Sequence, residues 1–501
     1  MDRKSHHLLV QISYASLAKY LSVGLLVVRG FLLAHLLGPA LFGTWTAMRL
    51  VLQFTMFGHM GARTGMLRDA TMTAGAGDHS EASRLREAAG AVNLIGALVV
   101  SAATIVAVLI AHDFHFGEAK YWLCLAALIV IRSHWIFTLT NLQSRHIYAL
   151  RSTLSILVAA MSTSLGIVAA YQYGLGGFLL ALGISYCVGI AISQTKVPWV
   201  PTLRVDLRRS VSLVRSGFPI MLSNLAKMLL WTMDKLFIWI FMGNAALGIY
   251  AVQSTVTNFM MLLPGGMTEV LYPQILARLG QKDAAAKARA FLNDGSDMLM
   301  RVMVPILAIA FLTLHLPIRW LLPDYIDAIQ PGLIMILAAF FPVAGRVPGM
   351  ILTALGGQVA MLIRTTMAIV FAAFALGTAI LLDGGLVGVA IGMAIGLFCR
   401  FLFITIAAMS FAKAEQKDRR SFFGHAIKSF SLLVFVVSVV TLAIPDSSDS
   451  ALQDCLWTAL RCTIALLAML PWCLKAWREY YPKFQDQSRN PTSEETDVKR
   501  V

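Results

Sequence analysis

Met233-Asp-Lys-Leu-Phe-Ile-Trp-Ile-Phe-Met-Gly-Asn-Ala-Ala-Leu-Gly-Ile-Tyr250 is the stretch on which the fold turns. An adjacent acid and base open it, an apolar run follows, and Gly-Asn-Ala-Ala-Leu-Gly breaks that run before a second apolar run begins. Two long apolar runs around one tight break read as two membrane spans, since ~20 residues at ~1.5 Å each cover a bilayer core of ~30 Å. Gly38-Pro-Ala-Leu-Phe-Gly43-Thr-Trp45 repeats the pattern earlier in the chain, with the same spacing from Gly38 to Gly243 as from Gly43 to Gly248. In that register Arg29 falls opposite Asp234, Arg49 opposite Ser254 and Gln53 opposite Asn258. Gly174-Leu-Gly-Gly177 and Gly385-Leu-Val-Gly388 form a second echo.

Working outward, the 501 residues are 58% hydrophobic and 13% charged, with a mean hydropathy of +0.73. No soluble domain buries that much apolar side chain, so lipid is the solvent. In hydrocarbon the backbone must satisfy itself, as helices or as a closed barrel. The apolar runs lack the alternation of barrel strands, which leaves an all-α polytopic membrane protein. Spans are predicted at 8–37, 43–62, 88–111, 118–141, 150–172 and 174–194, then at 212–242, 245–275, 290–316, 327–355, 359–382 and 385–411, and finally at 427–445 and 452–474. That makes fourteen transmembrane helices: a six-helix bundle in 1–195, a repeat-related one in 196–411, two accessory helices in 412–475 and a cytoplasmic tail in 476–501. The stretch from Gln485 reads as disordered. The basic start Met1-Asp-Arg-Lys4 leads into a run too long for a signal-peptide core.

Charge fixes the orientation. With the N-terminus inside, Lys120 and Arg319 are the only loop cations on the outer face, as the positive-inside rule requires, and both termini are cytoplasmic. A pI near 9.7 therefore reflects topology and not nucleic-acid binding. The six cysteines show no CxxC or Cys/His spacing, so no disulfide framework and no metal site is expected. No catalytic or nucleotide motif appears, and neither an enzymatic activity nor a cofactor is expected.

Nine cations remain within spans: Lys19, Arg29, Arg49, Arg132, Lys227, Lys235, Arg346, Arg400 and Arg461. At ~2.5–3.5 kcal/mol each, exposing all of them to lipid would cost on the order of 25 kcal/mol. Counting Asp234 and Glu269 as the acids leaves seven cations in formal excess, which calls for an anion. Trp45, Arg49 and Gln53 recur at intervals of four, and Asn224, Lys227, Trp231 and Asp234 at three and four, so each set shares one helix face. The expected binding residues are Arg29, Arg49, Gln53, Lys227, Trp231 and Asn258, lining a chamber between the halves. Asp234 and Lys235 read either as an ion-coupling or gating pair or as a structural ion pair. Arg132, Arg346 and Arg400 either line the chamber or snorkel to headgroups, while His35, His59 and His134 either relay protons or sit at span ends. Expected bending points are Gly24 and Gly30, Pro264-Gly-Gly266 with Pro273, and Pro342 and Pro348 around Gly345.

The stretches Leu37 to Trp45 and Met233 to Tyr250 resemble the polysaccharide transporter branch, the Wzx-type flippases, of the multidrug/oligosaccharidyl-lipid/polysaccharide exporter superfamily. The resemblance covers roughly residues 8–411. It implies that the cargo is an undecaprenyl-diphosphate-linked oligosaccharide, moved across a bacterial inner membrane for exopolysaccharide, capsule or O-antigen synthesis. It also implies membrane lipids, a polysaccharide polymerase and a chain-length regulator as partners. Lys235 departs from the pattern, which has arginine there. The rival readings are a cation-coupled multidrug exporter of the same superfamily, whose cavity would want carboxylates, a membrane glycosyltransferase or polymerase, and a scaffold of a polysaccharide assembly complex.

Overall fold

The computed structural model describes residues 3–110, 118–198, 206–262, 264–266, 275, 284–444 and 450–489. Every regular element among them is helical. The first six are α1 (Arg3–Thr55), α2 (Ala62–Gly75), α3 (His79–Ile110), α4 (Ala119–Ser144), α5 (Tyr148–Lys196) and α6 (Leu207–Met260). Then come α7 (Ala284–Thr313), α8 (His315–Leu321), a 3-10 turn (Pro323–Ala328), α9 (Ile329–Ala338), α10 (Phe340–Ala344) and α11 (Arg346–Ala354). The last four are α12 (Gln358–Leu381), α13 (Gly385–Phe411), α14 (Gln416–Ala443) and α15 (Ala451–Arg489).

Among the described residues, 11 helices are long and apolar enough to cross a membrane. Three of them break at one glycine: Gly38 in α1 (φ 69°, ψ 171°), Gly174 in α5 (φ 62°, ψ −147°) and Gly243 in α6 (φ 85°, ψ −175°). A left-handed φ is costly for a side chain with a Cβ and nearly free for glycine, so the sequence breaks fall there. The chain folds back at these points. Lys235 Nζ stands 5.9 Å from the Tyr250 ring, whereas a straight helix would hold the two Cα atoms ~22 Å apart. A Cβ on Gly177 would lie 2.3 Å from the Ala169 carbonyl oxygen, which again needs a reversal between them. Among the described residues, these eleven helices, three of them double, account for fourteen spans of a multi-pass membrane protein.

The two copies of the glycine motif meet. A Cβ on Gly43 would lie 1.7 Å from the Asn244 carbonyl oxygen, and one on Gly248 2.0 Å from the Pro39 carbonyl oxygen. Pro39 and Asn244 hold the same place in the two motifs, so the contact is reciprocal, with a local two-fold character. Asn244 Nδ2 also donates to Thr44 Oγ1 at 3.1 Å.

Several boundaries differ from expectation. Residues 62–75, read as loop, form α2, whose Ala62, Met66 and Ala70 pack with Ala82, Leu85, Phe137 and Leu213. The ninth span begins at Ala284 and carries Asp297 and Arg301 into its buried interior, whereas the sequence count sets Arg301 among the loops. The tenth span is interrupted at Ala339 and Gly345, beside the predicted prolines. Gly24 and Gly30 lie in uninterrupted helix, because α1 breaks at Gly38 alone. Helix α15 continues to Arg489, past the point where disorder was expected. Glu269, Pro273 and the tail beyond 489 lie outside the described residues.

By internal contacts the chain divides into two compact units. One comprises Met1–Phe259, Leu321–Pro331 and Ala373–Ala390; the other comprises Met260–Trp320, Gly332–Ala372 and Ile391–Val501. The features that follow each belong to one unit.

Candidate functional site

In the first unit a cavity of about 350 Å³ is lined by α1, α4 and α5. Both arms of α1 contribute: Ser22, Leu26 and Arg29 from the first, Trp45, Arg49, Leu52 and Gln53 from the second. From α4 come Arg132, Trp135 and Leu139, and from α5 come Ser155, Val158, Ala159, Ser162, Leu182 and Tyr186. Within each arm these positions follow the three- and four-residue spacing of one helix face. The reversal at Gly38 brings Arg29 to Arg49, since without it twenty residues of helix would hold them ~30 Å apart.

The arginines are held differently. Arg29 Nη1 donates to Ser162 Oγ at 2.9 Å, and its guanidinium lies 5.5 Å from the centre of the Phe178 ring. Phe178 in turn meets Trp45 edge to face at 4.8 Å. Arg132 Nη1 donates to the Leu52 carbonyl at 2.5 Å, fixing α4 to the second arm of α1. Arg49 Nε is buried and finds no hydrogen-bond partner among the described residues, and the same holds for Ser22 Oγ. Trp135 and Tyr186 stack at 6.2 Å with 23° between their planes. No carboxylate belongs to the lining. Three guanidinium groups around one low-dielectric space repel one another, and a bound anion relieves that repulsion; guanidinium forks match phosphate oxygens in particular.

Three expected residues, Arg29, Arg49 and Gln53, thus come together, in a cavity whose walls all belong to the first six spans. Lys227 and Trp231 are half-buried and Asn258 is exposed, and none of them lies on this cavity. Asp234 and Lys235 also stand apart from it, as a buried ion pair. Lys235 Nζ lies 3.1 and 3.2 Å from the two Asp234 oxygens, and the Lys235 amide donates to Oδ1 at 2.8 Å. Neutralising one member alone, as in D234N or K235M, is expected to destabilise the chain by about 3–5 kcal/mol, because the other charge stays buried. The double variant D234N/K235M is expected to regain most of that loss. Thermal unfolding of all three in detergent checks the expectation.

Sequence reasoning left Arg132 undecided and did not single out Trp135, Tyr186, Ser155 or Ser162. The Arg132, Trp135, Leu139 spacing was the available signal for α4; Tyr186 carries no charge and gave none. Two further buried acids also escaped notice. In the second unit Asp297 is fully buried, with Arg301 Nη2 at 2.7 Å. Asp454, 3% exposed, accepts from Trp320 Nε1 at 2.8 Å and stands 3.3 Å from His315 and 3.5 Å from Arg319. Each acid is matched by a base beside it. Arg461 Nη2 donates to the Ile444 carbonyl at 2.5 Å, a structural role. His35 Nδ1 bonds to the Leu321 carbonyl and His59 Nδ1 accepts from the Gly61 amide, both at 3.0 Å.

A family model described as "Polysaccharide biosynthesis protein" matches residues 32–328. No curated protein matches the chain. Among solved structures, the lipid II flippase MurJ in its inward closed conformation is similar at 16% identity and a TM-score of 0.69, over 93% of this chain and 99% of MurJ. A point mutant of the Vibrio cholerae MATE transporter VcmN is similar at 19% identity and a TM-score of 0.57, over 84% of this chain and 100% of that one. A MOP superfamily transporter from Pyrococcus furiosus gives 15% identity and a TM-score of 0.58, over 81% and 96%. At these identities the likeness is one of fold.

Proposed function

The chain belongs to the polysaccharide biosynthesis protein family, and from that premise we propose that it translocates undecaprenyl-diphosphate-linked oligosaccharide repeat units across the bacterial inner membrane. One observation carries the reading: a cavity walled by Arg29, Arg49 and Arg132 with no carboxylate on it. The diphosphate takes the place of the missing counter-charge, and the bundles at 1–195 and 196–411 alternate in exposing it to either leaflet. The cavity's ~350 Å³ lies at the low end of ordinary ligand sites, ~300–1,000 Å³, and fits a headgroup better than a whole repeat unit. Both termini are then cytoplasmic, a polymerase and a chain-length regulator act alongside, and the chain makes or breaks no covalent bond.

A multidrug exporter of the same superfamily is the closest rival. A cavity for organic cations needs negative or neutral walls, and this one has three guanidinium groups. Reconstitution into vesicles carrying undecaprenyl-diphosphate-linked oligosaccharide in one leaflet tests the proposal. Cargo is expected to reach the opposite leaflet, with inorganic diphosphate competing for the site and cationic dyes failing to compete. Dye binding without movement of the cargo would favour the rival, and neither dye binding nor movement would leave the scaffold.

A further inference from the structure

Between the basic-loop ends of α2, α3 and α6, the structure holds a polar zip that the cavity does not account for. Arg209, in the first turn of α6, grips Glu81 of α3 in a two-pronged fork: Nε to Oε1 at 2.7 Å and Nη2 to Oε2 at 2.8 Å. Its third corner, Nη1, donates to Asp206 Oδ2, while Asp206 Oδ1 accepts the Arg209 amide at 3.1 Å and so caps the helix. About two turns on, Ser216 Oγ donates to Asp69 Oδ2 of α2 at 2.6 Å. Next to it the backbones touch: a Cβ on Gly217 would lie 2.1 Å from the Gly61 carbonyl oxygen, and one on Gly65 2.2 Å from the Leu213 carbonyl oxygen. Residues 206–217 are thereby fastened along the start of α2 and α3, which joins the first repeat to the second.

This contact differs in chemistry from the one between the glycine turns of α1 and α6. There, Gly43 and Gly248 press backbone on backbone, against Asn244 and Pro39. Here the closing groups are ionic and partly wet, with 28% of Arg209, 32% of Glu81 and 38% of Asp206 exposed. Water and salt can replace such pairs at little cost. Behind the zip, two residues past Gly61, stands Arg63, whose Nη1 is buried without a hydrogen-bond partner among the described residues. Burial first, and then the neighbouring Arg132 of the cavity, pull its pKa down to about 10. A cation with one unsatisfied nitrogen thus lies near both the Gly61–Gly217 contact of the zip and Arg132 of the cavity.

We propose that Glu81, Arg209 and Asp206, reinforced by Asp69 and Ser216, form a latch that holds the basic-loop side of the path to the cavity shut, and that its release admits the anionic headgroup past Arg63. The transport cycle in this statement rests on the function proposed above; the latch itself can be read without any cargo.

The test uses the full chain with its six cysteines replaced and a Q53C reporter in the cavity. A membrane-impermeant thiol reagent is applied from the cytoplasmic face of inverted vesicles, with no substrate present. Labelling is expected to run about three- to tenfold faster in E81Q than in the parent, as loss of a forked, partly exposed ion pair allows. The charge-swapped E81R/R209E variant is expected to return it to the parental rate, since the exchanged arginine can still bridge both carboxylates. Labelling from the opposite face is expected to stay unchanged in all three. An unaltered rate in E81Q overturns the latch, as does a faster rate that the swap fails to reverse or that appears on both faces, because each of those describes general loosening. If these outcomes hold while vesicle transport of the lipid-linked cargo fails, the latch stands and the cargo assignment falls.

Discussion

Replacing Arg49 by glutamate is expected to abolish movement of lipid-linked cargo while leaving the chain folded, and even to raise its thermal stability in the absence of cargo. Arg49 shares its cavity with Arg29 and Arg132, and its Nε has no partner among the described residues, so three like charges repel one another there. A carboxylate at this position would satisfy its neighbours internally and remove the demand for a ligand anion. At ~5 Å and an effective dielectric of ~20, each unit of charge is worth about 3 kcal/mol, so reversal weakens diphosphate binding by about 6 kcal/mol, well over a thousandfold. R49Q removes one unit and is expected to lose on the order of a hundredfold. R49K keeps the charge but loses the fork, and should lose about tenfold. Binding of undecaprenyl diphosphate to the purified variants, alongside their melting temperatures, gives both halves of the expectation. A site residue whose removal stabilises the unliganded protein while destroying function is a strained functional group, whereas a structural arginine would lose both together. Wild-type transport by R29E/R49E would take the cavity out of the mechanism.

The spans were legible because their signals are local. Hydropathy gives the apolar runs, and Gly38, Gly174 and Gly243 stand where the backbone needs a left-handed residue. Asp297 was missed for the opposite reason. Its partner Arg301 sits one turn away in the same helix, and a compact neutral pair barely lowers the hydropathy of a long span, so the predicted span 290–316 covers Asp297 without marking it. For the cavity, helical spacing found Arg49 and Gln53 because one face of one helix carries them. Which faces meet is a tertiary fact, and the expectation that Lys227, Trp231 and Asn258 share the chamber assumed that repeat-related stripes converge. The described cavity takes its lining from α1, α4 and α5. Arg132 shows the same limit: one residue type in a span reads equally as a snorkelling cation or a wall, and its bond to the Leu52 carbonyl is what separates the two.

Gly43→Ala is expected to be the most damaging single methyl group that can be added to the chain's repeat motif. The new Cβ would lie 1.7 Å from the Asn244 carbonyl oxygen, 2.6 Å from its carbon and 3.0 Å from the Gly248 amide nitrogen, all of them backbone atoms. No rotamer change relieves such a clash, so the two hairpin turns must separate, at a cost beyond the ~1–3 kcal/mol of ordinary overpacking. Gly248→Ala meets the Pro39 carbonyl oxygen at 2.0 Å and is expected to match it, because the contact is reciprocal. The double variant should lose far less than the two single losses together, since the first substitution has already opened the contact that the second would open. Gly24→Ala is the control. It lies in uninterrupted helix with nothing within 4 Å of the added carbon, so the change should be neutral or stabilise by about 0.5–1 kcal/mol through helix propensity. Melting temperatures of the four variants in one detergent decide the matter. If Gly43→Ala melts with Gly24→Ala, the two turns do not touch in the membrane, and the pairing of the repeats falls with them.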